Sequence, residues 1–181
     1  MRLHLARHGE TTAAGRFLGQ SDPPLSEEGR AQSEALAERF AGKRVERIVS
    51  SALVRSRETA AFVSARLGLP VEVDACLNEI AYGEWDGLPW AEIERRWPSE
   101  AARKIDDWWG VTPPAGESAE AFFARIRGAL DALEADGRDT LLVGHAAVNG
   151  LIHEWSRGSL DSPRTVLSFR QGFGETLEIR L

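Results

Sequence analysis

The sequence has a single cysteine, Cys76, in 181 residues, so no disulfide can close within the chain and the thiol reads as a half-buried core residue. A cytoplasmic location is the expectation. Long apolar runs are missing as well, and the opening stretch, interrupted by His4 and Arg7, is too short for a signal peptide. No membrane is expected as a partner. Positive charge is in the minority: 22 basic against 28 acidic residues leave a formal net charge of -6, which repels polyanions and excludes a general footprint for nucleic acid. Any anion must therefore be held by a local cluster. Repeats and low-complexity tracts are absent, and His145 and His153 lack the carboxylate pattern of a zinc site, so neither metal nor cofactor is expected.

What is present is a globular balance, 43% hydrophobic and 28% charged, in a length that suits one domain, residues 1–181. Leu3 and Leu5 alternate with His4 and Ala6 in a first strand ended by Gly9. Ser26 is placed to cap a helix reaching Phe40, with Leu36 and Phe40 on its apolar face. A second apolar run, Val45 to Leu53, ends in Ser50 and Ser51, and a helix carrying Ala60, Val63 and Leu67 follows until Gly68. Val71 to Val73 makes another short strand. From Leu77 to Pro114 no clean period exists, yet Trp85, Trp90, Trp97, Trp108 and Trp109 fall there, which reads as a cap or insertion. Order returns with a helix from Ser118 to Gly137, a buried strand over Thr140 to Val143, and a helix placing Val148, Leu151, Ile152 and Trp155 on one face. Alternation over Thr165 to Arg170 and Glu175 to Leu181, around Gly172-Phe173-Gly174, predicts a β-hairpin at a sheet edge.

Repeated strand-helix units predict a three-layer α/β/α sandwich with a mostly parallel sheet, whose ligands bind beyond the carboxyl ends of the strands. Three such ends carry Arg7-His8, Ser50 through Arg57, and His145. Two histidines and at least two arginines converging on one crevice repel one another unless an anion neutralises them, and the arginine fork matches phosphate. A neutral imidazole beside guanidinium groups can attack phosphorus, and a carboxyl group of raised pKa can protonate the leaving alcohol. Arg57 competes with Arg55 for the inward position, and Glu84 and Asp86 compete with Glu79 as the acid.

Arg7-His8-Gly9-Glu10-Thr11 resembles the signature of the histidine phosphatase, or phosphoglycerate mutase-like, superfamily. The likeness extends through GRFLGQSDPPLSEEG from Gly15, SSALVRSRETA from Ser51, LNEIAYGEWDG from Leu77 and GHAAV from Gly144. The resemblance implies a metal-independent phosphomonoester hydrolase. In it His8 becomes phosphorylated, Arg7, Arg55 and His145 grip the phosphoryl group together with Thr11 and Ala146, and Glu79 shuttles the proton. The implied partner is a small-molecule phosphomonoester; the oligomeric state is not implied. The chain departs from the family at Ala14, where many members have a phosphate-contacting asparagine, and its loop to Arg16 is about two residues short. The short chain resembles the phosphatase branch rather than the longer mutases. Broad-specificity phosphatases and mutase-like enzymes are the rival enzymes. A non-catalytic phosphate-binding module is the rival of another class, although binding alone needs neither nucleophile nor acid. The tryptophans of the cap either pack it onto the body, as large aromatics commonly do, or offer a flat wall, through Trp90 or Trp109, for an aromatic base.

Overall fold

A computed structural model describes residues 1–158 and 170–181 of the chain. Its sheet has strands β1 (Arg2–Arg7), β2 (Arg47–Ser50), β3 (Val71–Val73), β4 (Thr140–Gly144) and β5 (Thr176–Arg180), in the order β3-β2-β4-β1-β5. All neighbours are parallel except β5, which runs antiparallel to β1 at the edge. Around it lie α1 (Glu27–Phe40), α2 (Val54–Leu67), α3 (Trp90–Arg96), α4 (Pro98–Asp106), α5 (Ala119–Asp136) and α6 (Ala146–Ser156). This is the expected three-layer architecture.

The two-residue period of the strands divides the core between the two faces of the sheet. Leu3, Leu5, Val49 and Leu142 pack with Phe122 and Ile126 of α5 and with Val148 and Leu151 of α6. Ala6, Ile48, Leu141 and Val143 take the opposite face, against Leu36 and Phe40 of α1 and Ala60 and Val63 of α2. Each buried leucine contributes roughly 1.5–3 kcal/mol, which fixes the register of β1 and so the place where its polar end emerges. Helix boundaries follow their capping residues. Ser26 Oγ accepts from the Gly29 N–H and Ser118 Oγ from the Ala121 N–H, at 3.0 and 3.2 Å. Gly137 closes α5 with a φ of 75°, a left-handed conformation that glycine adopts without steric cost.

The stretch from Leu77 to Pro114 is more regular than its sequence suggests. It holds the 3-10 turn Gly83–Trp85 and the helices α3 and α4, which surround a small cluster of Trp85, Ile93 and Ala101. With seven and nine residues, and with Pro98 opening the second, neither helix is long enough to display a clear period. Cys76 is exposed, not half-buried as expected: it sits in the 3-10 turn Ala75–Leu77, whose N–H Asp74 caps, and only Leu77 of that turn enters the core. β5 realises the second strand of the expected hairpin. The first, Thr165 to Arg170, lies outside the described residues but for its last. No helix among the described residues is long and apolar enough to cross a membrane.

Candidate active site

Strand register brings three sequence-distant junctions side by side. Arg7 at the end of β1 stands opposite Gly144 at the end of β4, and Ser50 at the end of β2 stands opposite Val143. The residues that follow, His8, His145 and Ser51, therefore leave the same edge of three adjacent strands. The His8 and His145 ring centroids are 5.2 Å apart. Gly9 makes this turn possible, because a Cβ there would lie 2.3 Å from the Gly29 carbonyl oxygen of α1.

Beyond the strand ends opens a cavity of about 360 Å³, lined by Arg7, His8, Thr11, Glu79 and Ala146 and, toward its rim, by Arg16, Phe17, Tyr82, Trp90 and Phe173. Arg55 and His145 do not line it; both are completely buried behind its wall. The other contenders fall elsewhere. Arg57 is exposed on the outer side of α2 and Glu84 is exposed. Asp86 accepts the backbone N–H groups of Gly19, Gln20 and Ser21, at 3.0, 2.6 and 2.8 Å, and so shapes the loop before α1.

His8 Nδ1 lies 2.7 Å from the Gly9 carbonyl oxygen, which can only accept, so Nδ1 carries the proton and Nε2 keeps its lone pair. Burial, reinforced by the positive charges of Arg55 and Arg7, pushes the pKa of His8 down to about 3, and the ring is neutral at pH 7. Ser51 Oγ accepts the Leu53 N–H at 3.4 Å and lies 2.8 Å from His145 Nε2, with Ser56 Oγ also near at 3.3 Å. With the Ser51 hydroxyl as the donor of that bond, His145 is the opposite tautomer and carries its proton on Nδ1, and burial pushes its pKa well below the ordinary histidine value.

Glu79 reaches the cavity from the turn before the cap. Its Oε1 accepts the Ile80 N–H at 3.0 Å and its Oε2 the Ala147 N–H, in the first turn of α6, at 3.2 Å. Burial raises its pKa above the usual carboxylate value, against those N–H groups and the two arginines, which act to lower it. Arg7 donates from Nη1 to the Gln171 carbonyl at 2.7 Å, and its guanidinium lies 4.0 Å from the centre of the Phe173 ring. Arg55 donates to the carbonyls of Ser21, Leu18 and Gly19 at 2.8, 3.2 and 2.9 Å.

Three buried donors at the strand ends are left over: Nε of Arg7, Nε of Arg55 and Nδ1 of His145 have no hydrogen-bond partner among the described residues. An unpaired buried donor costs about 1–3 kcal/mol, so a cluster of them is a standing demand for an acceptor with several oxygens. A tetrahedral phosphoryl group meets it. Ala14 lines the cavity without a side-chain polar atom to offer, and Arg16, two residues on at the rim, donates from Nη1 to the Gly87 carbonyl at 2.8 Å. Among the described residues no three His, Cys, Asp or Glu side chains come together to hold a metal.

Phe173, which packs on His8 with ring centroids 5.6 Å apart, was not singled out by the sequence reasoning as a site residue. Its signal was available, since a bulky aromatic between two turn glycines serves no turn requirement. Ser51, by contrast, gave no separable signal within its Ser50-Ser51 pair.

The neutral histidines make the fold acid-sensitive. An unfolded histidine binds a proton below about pH 6.5 while folded His8 does not until about pH 3, so the unfolded state holds more protons and stability is lost as pH falls through that window. The full difference is about 5 kcal/mol for His8, while the raised pKa of Glu79 acts in the opposite sense. The melting temperature of the free protein is expected to drop on acidification from pH 7.5 to 4.5, and more steeply in wild type than in His8→Asn. Parallel curves for the two proteins would refute this.

A buried imidazole with a free lone pair, a carboxyl group of raised pKa and unpaired cationic donors at the ends of parallel strands are a set suited to phosphoryl transfer, and the chain is a phosphatase. It belongs to the histidine phosphatase superfamily (branch 1), whose family model matches residues 3–166. An adenosylcobalamin/alpha-ribazole phosphatase of Salmonella typhimurium is 32% identical over 156 residues, which cover 84% of this chain and 77% of that protein. A bifunctional protein of Mycobacterium tuberculosis is 36% identical over 154 residues, 83% of this chain but 40% of that longer protein. The solved structure of the alpha-ribazole phosphatase of Shigella flexneri superposes with a TM-score of 0.92 at 27% identity, covering all of this chain and 91% of the other.

Proposed function

We propose that the protein hydrolyses phosphomonoesters through a phosphohistidine on His8, with α-ribazole 5'-phosphate as its substrate. The observation that carries the mechanism is the tautomer of His8: with Nδ1–H engaged by the Gly9 carbonyl, Nε2 is the free electron pair in the cavity that Glu79 shares. Nε2 attacks phosphorus, the bond to the ester oxygen breaks, and protonated Glu79 gives its proton to that oxygen. Water then attacks the phosphohistidine, ionised Glu79 takes its proton, and the P–N bond breaks to free phosphate and neutral His8. Arg7, Arg55 and His145 supply the donors for the equatorial oxygens, and the first turn of α6 at Ala146 adds the positive end of a helix. Thr11, buried with its hydroxyl on the Ala13 N–H at 3.4 Å, holds the loop at the cavity floor.

The substrate rests on two supports, the alpha-ribazole phosphatases among the relatives and the aromatic rim of the cavity. The MRLHLARHGET start and the LNE block of this chain are also most like that kind of phosphatase. Phe17 lies against Trp90 with ring centroids 5.7 Å apart, and both line the cavity beside Tyr82. Such a wall suits a flat benzimidazole. Trp109 is no part of it: it stacks on Phe122 at 5.9 Å in the core under α5.

Brief incubation with a labelled phosphomonoester and rapid quench is expected to give an acid-labile, base-stable adduct on His8. Across a panel of α-ribazole 5'-phosphate, 3-phosphoglycerate and nucleoside phosphates, the first should have the highest kcat/KM. Trp90→Ala should lower it about tenfold for α-ribazole 5'-phosphate while leaving p-nitrophenyl phosphate unchanged. A flat ranking across the panel means a broad-specificity phosphatase, and equal losses on both substrates in the variant remove the stacking wall from the argument.

A further inference from the structure

Arg125, in the second turn of α5, spends three of its five guanidinium N–H groups on the segment that carries Glu79 and the other two on Glu117. Its Nη1 donates to the carbonyls of Cys76 and Asn78, both at 2.7 Å. Its Nη2 donates to the Glu79 carbonyl at 3.1 Å and to Glu117 Oε2 at 2.8 Å, and its Nε donates to Glu117 Oε1 at 2.7 Å. A guanidinium has five N–H donors, and these five acceptors use them all. The small opening that Arg125 lines with Gln20, Asn78 and Glu117 therefore has no free guanidinium donor to offer a ligand.

Glu117 completes the grip from the other side. Its Oε2 accepts the Ala81 N–H at 3.2 Å, and its own backbone N–H donates to the Ala81 carbonyl at 2.9 Å. Residues 76 to 81 thus hang between two fixed points, with Glu79 in the middle. That main chain has no strand or helix of its own at Glu79 to hold it: the 3-10 turn ends at Leu77 and the next begins at Gly83. A carboxyl group that must deliver a proton to one particular oxygen needs a rigid backbone, since displacements of an ångström cost up to about 100-fold in rate.

We infer that Arg125, locked by Glu117, is a positioning residue for Glu79: it fixes the main chain from which the carboxyl group reaches the cavity, without touching substrate. The inference rests on the reading of Glu79 as the proton donor. Its consequence is specific to the leaving group, because p-nitrophenolate departs unaided whereas an alkoxide needs the proton. A merely structural arginine would affect both esters alike.

The test compares kcat/KM for glycerol 3-phosphate and p-nitrophenyl phosphate in wild type, Glu79→Gln, Arg125→Met, Arg125→Lys and Glu117→Gln. Glu79→Gln should lose about 100- to 10,000-fold on the alkyl ester and far less on the aryl ester. Both Arg125 variants should lose roughly 10- to 100-fold on the alkyl ester and no more than about threefold on the aryl one. Lysine should not rescue, because three donors on a flexible stem cannot reproduce the fork. Glu117→Gln should shift the ratio in the same direction and decides the matter if the Arg125 proteins do not fold. Equal losses on the two esters overturn the positioning role. If Glu79→Gln itself shows no preference, it is the proton-donor reading that fails.

Discussion

Replacing His8 by asparagine is expected to lower kcat/KM by about 10^4- to 10^6-fold, the loss typical of removing a covalent nucleophile from an otherwise intact site. Asparagine is the informative substitute. Its amide N–H can reproduce the hydrogen bond that His8 Nδ1 makes to the Gly9 carbonyl at 2.7 Å, and it is neutral, as the buried His8 is. What it lacks is the Nε2 lone pair. The unpaired donors of Arg7, Arg55 and His145 remain, so the variant should still bind inorganic phosphate, and calorimetry can show that the cavity survived. A variant that binds phosphate and is never labelled by quench, yet turns over within about tenfold of wild type, would mean that water attacks phosphorus directly.

Much of this site is legible in the sequence, for a physical reason. In a parallel sheet, the residues just past the carboxyl ends of neighbouring strands must meet, so topology brings together Arg7-His8, the junction from Ser50 to Arg57, and His145 once three strand-helix units are read. Alternation of Leu3 and Leu5 set β1, and Ser26, Ser118 and Gly137 marked the helix ends by their hydrogen-bonding and conformational chemistry. The roles of single atoms were not legible in the same way. Nothing in the sequence distinguishes the proton positions of His8 and His145, because each is set by a partner: a carbonyl one residue away in one case, and a hydroxyl 94 residues away in the other.

The cap resisted reading because its order is not periodic. Trp85 is fully buried with a cluster of its own, Trp90 faces the cavity, and Trp109 belongs to the main core. Five tryptophans of one composition thus divide among three environments, and only tertiary packing assigns them. Arg125 illustrates the same point on α5. On a helical wheel it is one more charged residue beside the apolar face, with nothing to single it out from Arg127, which pairs with Asp131 on the surface. Its five partners come from two loops that the sequence separates by roughly 40 residues.

Arg7 and Arg55 look interchangeable as phosphate ligands, yet their replacements by methionine should differ sharply in stability. Both should lower kcat/KM by roughly 10^3- to 10^5-fold, the range seen when a guanidinium that stabilises a phosphoryl transition state is removed. Arg7 engages the protein through one carbonyl, that of Gln171, and through the face of Phe173. A thioether can keep much of that aromatic contact, so the melting temperature should move by less than about 4 °C. Arg55 is completely buried and binds three carbonyls of the loop from Leu18 to Ser21, with Asp22 at 3.7 Å as its counter-charge. Its loss leaves those carbonyls without a donor and Asp22, which keeps the Val54 N–H at 2.8 Å, without its counter-charge, worth about 3 kcal/mol or roughly 6–12 °C in a protein of this size. Thermal melts and steady-state kinetics on the same preparations separate the cases. Should Arg55→Met melt early but keep its turnover, Arg55 serves only the loop, and the phosphoryl group is held by Arg7 and His145 without it.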